Sequence, residues 1–314
     1  MVKEGLAAAV AVPARLVRRR PTKLQIAVLG LVTLLSFGPI VAFLVVIGSD
    51  DGPSTQLVGG PEAPPDGVQM TATVIDVSPS VGELRVRIAL QVQDELSDDG
   101  RPETDLVLRV NDVRGEDIYE FPAGELLRPV EASLALGGGS VTRYPFDRYT
   151  SVLFVGLGTE SSGEAAPVFL GYDLFSNADQ FEVGASSVDP DELSSVAVVE
   201  LEVSRTATTT LYAVWMMILM WGLAIAGVLV VWAVTIWDVD VPVWSFTCFA
   251  GVLFALPQLR ESLPGRPPPG TLLDYVAFYW SIAIVGVTLI AVLAIWVQRA
   301  HHDSGRPEGD TSRS

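Results

Sequence analysis

Leu84-Arg85-Val86-Arg87-Ile88-Ala89-Leu90-Gln91-Val92 decides the fold of the middle of this chain, because apolar side chains take almost every second place in it. A strand has a side-chain period of two, so Leu84, Val86, Ile88, Leu90 and Val92 fall on one face and Arg85, Arg87, Ala89 and Gln91 on the other. One face is then buried and the other wet. Shorter runs of the same kind occur at Leu106 to Val110, Val152 to Val155, Val168 to Leu170 and Val196 to Val203, with Gly, Asp, Ser and Pro between them. That spacing predicts an antiparallel β-sandwich of roughly seven to nine strands across residues 67–206. A Pro- and Gly-rich stretch, 48–66, reads as the linker leading into it.

On both sides of this segment the pattern changes to long apolar runs. Leu24 to Ile47 is uninterrupted and, as a helix rising about 1.5 Å per residue, is long enough to cross a hydrocarbon core of roughly 30 Å. Arg15, Arg18, Arg19, Arg20 and Lys23 precede it and Asp50 and Asp51 follow, so the positive-inside rule leaves residues 1–23 as a basic cytoplasmic tail. A signal peptide is the rival reading, but the run exceeds the usual h-region and no small-x-small cleavage site follows it. Three further runs, 211–237, 244–259 and 275–297, predict a helical region over 207–298 and return a disordered tail, 299–314, to the cytoplasm. Tyr212, Trp215, Tyr275, Tyr279 and Trp280 mark one interface, and Trp232, Trp237, Trp244 and Trp296 the other. Gly222 with Ala226 and Gly251 with Ala255 have the spacing that lets helices pack closely in lipid. The fold class is thus membrane α+β: an exported sandwich with one transmembrane helix before it and three after it, in the plasma membrane, both termini inside.

Charge narrows the partners. The 314 residues carry a net charge of -17, and between Asp50 and Arg205 stand about 29 acidic against about 9 basic side chains. Nucleic-acid binding needs clustered cations, and both lysines, Lys3 and Lys23, precede the first span. No nucleic acid is expected. The lipid bilayer is the first partner, and an envelope protein or further copies of the chain the second. The single cysteine, Cys248, lies in an apolar run, so no internal disulfide forms.

Catalytic constellations are hard to find. The only histidines, His301 and His302, follow the last span, so a Ser/His/Asp triad is unavailable in the sandwich. Gly137, Gly138 and Gly139 lack the Lys and helix start of a phosphate-binding loop and read as a flexible turn. Asp94, Glu95, Asp98, Asp99 and the group Asp189, Asp191, Glu192 depart from calcium-loop spacing and read as solvated turns. The apolar runs contain no ionisable residue in their centres, where transport pathways usually place them. No cofactor or metal is expected and the chain is not read as an enzyme, although paired carboxylates of a hydrolase are not removed by counting.

Two features stand out. Tyr144-Pro145-Phe146-Asp147-Arg148-Tyr149 sets a proline turn between aromatics and leads into an apolar strand; here Asp147 reads as an acceptor for backbone amides. Between the last two spans, Arg260 and Asp274 flank a stiff loop of Pro264, Gly265, Pro267, Pro268, Pro269 and Gly270. Their matching depth predicts an Arg260 to Asp274 contact that closes the loop, with snorkelling of Arg260 to the interface as the alternative. Tyr144, Pro145, Asp147, Arg148, Tyr149, Arg260 and Asp274 are therefore the candidate structural or interaction residues.

The run Leu256, Pro257, Arg260, Leu263, Pro264, Gly265, Pro267, Pro268 or Pro269, Gly270, Asp274, Phe278, Trp280 resembles a bacterial multi-pass membrane family, common in actinobacteria and known as domain of unknown function 4436. The similarity extends from the first span onward, with the hairpin its most specific part, and implies architecture without an activity. The turn and the strand from Val196 into Trp215 also look like pentameric ligand-gated channels, where a Tyr/Phe-Pro-Phe-Asp turn in an outer β-sandwich precedes membrane helices. This chain differs in its extra leading span, in three rather than four following spans, and in lacking a helix lined regularly with Ser and Thr. The preferred expectation is a non-enzymatic envelope binding or assembly protein; a ligand-gated pore and an exported hydrolase are the alternatives.

Overall fold

A computed structural model describes residues 55–161, 164–188, 194–237 and 244–304. The expected first span and its basic tail lie outside the described residues, as do Asp189, Asp191 and Glu192. The chain begins with β1 (Thr55–Gly59), β2 (Val68–Ser78) and β3 (Glu83–Val92), followed by the two-residue pair β4 (Ser97–Asp98) and β5 (Arg101–Pro102). Then come β6 (Leu106–Val110), β7 (Ile118–Phe121), β8 (Val130–Ala135), β9 (Arg148–Ser161) and β10 (Glu164–Pro167). The last strands are β11 (Leu170–Ser176), β12 (Phe181–Ser187) and β13 (Val196–Arg205).

One sheet has the order β1-β11-β2-β3-β8; the other runs β12-β13-β9-β6-β7, with β10 folded back on β9. The inward residues of both meet in a single apolar core. Alternation does what the opening stretch predicts: Leu84, Val86 and Ile88 are at most 1% exposed, while Arg85 and Arg87 point outward to pair with Asp76 and Glu131. Two points differ from the sequence reading. The sandwich is mixed, since β11 lies parallel to β2; a period of two places side chains identically in parallel and antiparallel strands, so the pattern carries no direction. Thirteen strands form among the described residues, more than expected. The surplus lies in short segments such as β4, β5 and β10 that have too few residues to alternate, and in β1, which forms inside the presumed linker by pairing with β11.

After β13 the chain turns directly into α1 (Ala207–Ile236), whose first amides are capped by Thr206 Oγ1 accepting from Thr209 N. Helices α2 (Trp244–Glu261) and α3 (Tyr279–Ser304) follow, and a π-helical turn at Asp274–Phe278 leads into α3. The helix thus runs into the expected tail, past residue 299. Among the described residues two helices are long and apolar enough to cross a membrane, Ala207–Ile236 and Asp274–His301. Their most apolar windows are only 28% and 22% buried, leaving Ile218, Ile225, Leu229, Val287 and Ile290 exposed. That fits association with lipid better than the core of a soluble domain. The middle helix, with 18 residues, spans about 27 Å and falls outside that group.

The helices pack through residues other than those expected. Gly222 and Gly251 have no atom of another residue near an added Cβ, and Ala226 and Ala255 are exposed. Contact is made instead by Ala213 and Ala224, both 0% exposed, and by Gly227, where a Cβ would stand 3.2 Å from Thr288 Oγ1 and 3.3 Å from Phe249. Both small-residue stripes exist, but on the opposite face of their helices.

Candidate functional site

The sandwich and the helices meet in a seam built from three pieces: the turn before β9, the last residue of β13, and the loop between α2 and α3. At its centre the Arg205 guanidinium donates from Nε to both Asp147 carboxylate oxygens and from Nη2 to Oδ2, all at 3.2 Å. The two side chains are 3% and 0% exposed. A charge pair so far from water is costly unless further hydrogen bonds support it. Tyr149 donates its hydroxyl to Asp147 Oδ2 at 2.8 Å. Arg205 lies against two aromatic rings, with Cζ 4.2 Å from the Phe181 centroid and 5.0 Å from that of Tyr144. Asp147 therefore accepts from side chains where the sequence suggested backbone amides, because the strand end brings a cation within reach.

Tyr144 carries the seam into the helices. Its ring is fully buried with Ala213, Met216, Leu263 and Leu273, and its hydroxyl donates to the Pro264 carbonyl at 3.2 Å. Thr210 Oγ1, in the first turn of α1, donates to Pro145 O at 3.4 Å. Burial pushes the Tyr144 hydroxyl up to about 12, and Tyr149 is raised also, first by burial and then by its bond to the Asp147 carboxylate. Phe146 stays exposed between these anchored neighbours, and Arg148 is exposed on β9, outside the cluster. The glycine run before the turn is less free than it read: a Cβ at Gly139 would sit 2.0 Å from the Arg148 carbonyl, and Gly137 bridges Thr150.

Arg260 and Asp274 are in contact. Arg260 Nε donates to Asp274 Oδ1 at 3.1 Å and Nη2 to Oδ2 at 3.2 Å, with Nη2 also reaching the Pro267 carbonyl at 2.9 Å. Asp274 Oδ2 further accepts from the amides of Gly270 and Thr271, at 2.8 and 3.1 Å. The carboxylate thus holds both the loop and the entry into α3, fixing where Pro264 and Gly265 lie.

Two candidate groups that are 111 or more positions apart in sequence therefore belong to one structure, and Arg205, which joins them, is not among the residues that the sequence singled out. One signal was available. Arg205 is the single cation of β13, and it stands six positions before a long apolar run. Phe181 and the Pro264 carbonyl gave no signal, since their roles come from tertiary placement alone.

Fold and seam together define a mixed β-sandwich, with a buried ion pair at its helix-facing end, joined through Tyr144 and Pro145 to three described helices, two of them long and apolar enough to span. Residues 58–203 match the family model of a domain of unknown function, DUF4436, and residues 205–299 match that of a second, DUF8686. The first match is the family that the hairpin residues suggested, yet it covers the sandwich; the hairpin lies within the second. The two matches meet at the seam, with Arg205 opening the helical one. No curated protein matches the chain.

Proposed function

We propose that this chain is a non-enzymatic, multi-pass protein of a bacterial, actinobacterial-type plasma membrane, whose sandwich lies outside the cytoplasm, binds an envelope partner and is coupled to the helices through the seam. The observation that carries this reading is the Arg205–Asp147 pair with the Tyr144-to-Pro264 bond. Burying a charge pair is rarely the most stabilising solution for a core, whereas it does fix one geometry between the parts it joins. Placing such a pair where a binding domain meets apolar helices favours a role in holding their relation. Basic residues before the first apolar run and acidic ones after it support the stated orientation. Gly222 with Ala226, and Gly251 with Ala255, are left without partners among the described residues and favour contact with another membrane segment, a second membrane protein or further copies. The test is in-cell crosslinking with mass spectrometry, together with cysteines introduced on β3 and labelled by an impermeant reagent. A stable co-purifying partner and labelling from outside are expected; recovery as a lone monomer, or labelling only from the cytosol, contradicts the reading.

One observation favours a second reading, a ligand-gated pore. Helix α2 exposes Thr247, Cys248, Gly251, Ala255 and Gln258 at helical spacing together with Phe254, a face with more small and polar residues than the exposed surfaces of α1 and α3, which favours a polar lumen. Planar-bilayer conductance together with a ring-shaped oligomer decides for it; a non-conducting assembly decides against it.

A further inference from the structure

We infer that a cavity beside the seam binds a small organic cation that also carries a hydrogen-bond-accepting oxygen, of the amino-alcohol or amino-amide kind. The cavity holds about 300 Å³, within the range of small-ligand sites. Its walls are the end of β2 and the turn after it, with Asp76, Ser78 and Ser80, the turn before β12, with Asn177, Asp179 and Gln180, and the two seam residues Arg205 and Gly265.

Two features define the ligand. The first is a donor without an acceptor. Arg205 spends Nε and Nη2 on Asp147, and its Nη1 is buried with no hydrogen-bond partner. Buried polar groups are almost always paired, so an unfilled guanidinium nitrogen in a cavity wall points to an oxygen supplied from the cavity. Gly265 leaves this nitrogen uncrowded. It has φ +72°, and a Cβ there would stand 2.8 Å from Arg205 Nη1 and 2.9 Å from Gln180 Oε1. The second feature is charge. Asp76 is paired with Arg85 at 2.9 Å and accepts from Ser78 Oγ, and Arg205 is paired with Asp147. Asp179 is exposed and is the wall carboxylate without an ion pair among the described residues. The wall therefore presents one uncompensated negative charge and one unfilled donor. A simple ammonium satisfies only Asp179, a neutral amide only Arg205, and an anion is repelled by Asp179. A molecule with both a cationic nitrogen and an acceptor oxygen satisfies both ends, and the acidic surface around it draws cations in.

The inference needs only the cavity geometry, so its test is separate from partner capture and conductance. The full chain in detergent is titrated by calorimetry with glycinamide, methylammonium, N-methylacetamide and acetate at constant ionic strength. Glycinamide is expected to bind at least about tenfold more tightly than any of the other three. Asp179→Asn, on an exposed turn, is expected to keep the wild-type melting midpoint and to lose that preference. Gly265→Ala, which closes the approach to Nη1 at a strained φ, is expected to lose glycinamide binding while Asp179→Asn serves as the check free of that strain. No binding of glycinamide, equal binding of the four probes, or an Asp179→Asn variant that binds glycinamide like the wild type overturns the inference.

Discussion

Inside the sandwich, Leu84, Leu108, Leu134, Leu153 and Leu201 are each at most 1% exposed and belong to one apolar cluster; at the seam, equal burial is given to an arginine and an aspartate, with side chains 3% and 0% exposed. The first region gains stability by removing apolar area from water and tolerates many arrangements of similar volume. The second gains little net stability from its charges but is intolerant of any arrangement that leaves one unpaired. The difference separates two tasks: the core makes the domain fold, and the seam makes it hold one position on the helices.

The comparison is broken most strongly at the seam itself. Arg205→Ala leaves Asp147 buried without its cation and is expected to cost about 3–5 kcal/mol, read as a fall in the melting midpoint of the detergent-solubilised chain. Replacing both partners together, Arg205→Met with Asp147→Leu, sharpens it: stability is expected to recover most of that loss, because no charge is stranded, while the fixed geometry is lost. In the core, Leu153→Ala removes apolar contacts with no charge involved and is expected to cost about 2–5 kcal/mol, read in the same way.

A smaller effect is expected at the hairpin. Reversing either Arg260 or Asp274 leaves a like-charge pair in place of the bond, and reversing both is expected to restore part of the lost melting midpoint. Recovery stays partial because the Gly270 and Thr271 amides also donate to Asp274 and have no acceptor when an arginine stands there.

The tyrosines give the seam a pH signature. Their folded pKa values lie above the ordinary value of 10.0, that of Tyr144 at about 12. The neutral forms are favoured by folding, so this stability is complete below pH 10 and is lost as pH rises through the folded values. Alkaline titration of wild type is expected to show the melting midpoint falling from about pH 10 toward 12, with a shallower fall in Tyr149→Phe. Smallest of all is Arg87→Ala: its pair with Glu131 is about half exposed, and a loss within about 1 kcal/mol is expected.

How much of this was legible depends on whether a feature is local. The alternation of Leu84 to Val92, the turn at Tyr144 to Tyr149, and the charges flanking the hairpin are carried by neighbouring residues and can be read from spacing. The parallel pairing of β2 with β11, the strand hidden in the linker, and the helix faces that pack are set by partners far away in sequence. Gly222 and Ala226 show the limit well, since their spacing is that of a packing stripe but says nothing about which way the helix turns. Arg205 was legible only in part. Its isolation in an apolar and acidic strand marked it, while its partner lay 58 positions earlier.

Hydrogen exchange of the full chain with Asp147→Asn, read by mass spectrometry, tests the coupling most directly. Faster exchange at residues 262–273, in the loop between α2 and α3, with unchanged protection at residues 84–92 is the predicted result. Unchanged exchange in that loop, with the loss confined to residues 144–149, would contradict the claim that the seam ties the sandwich to the helices.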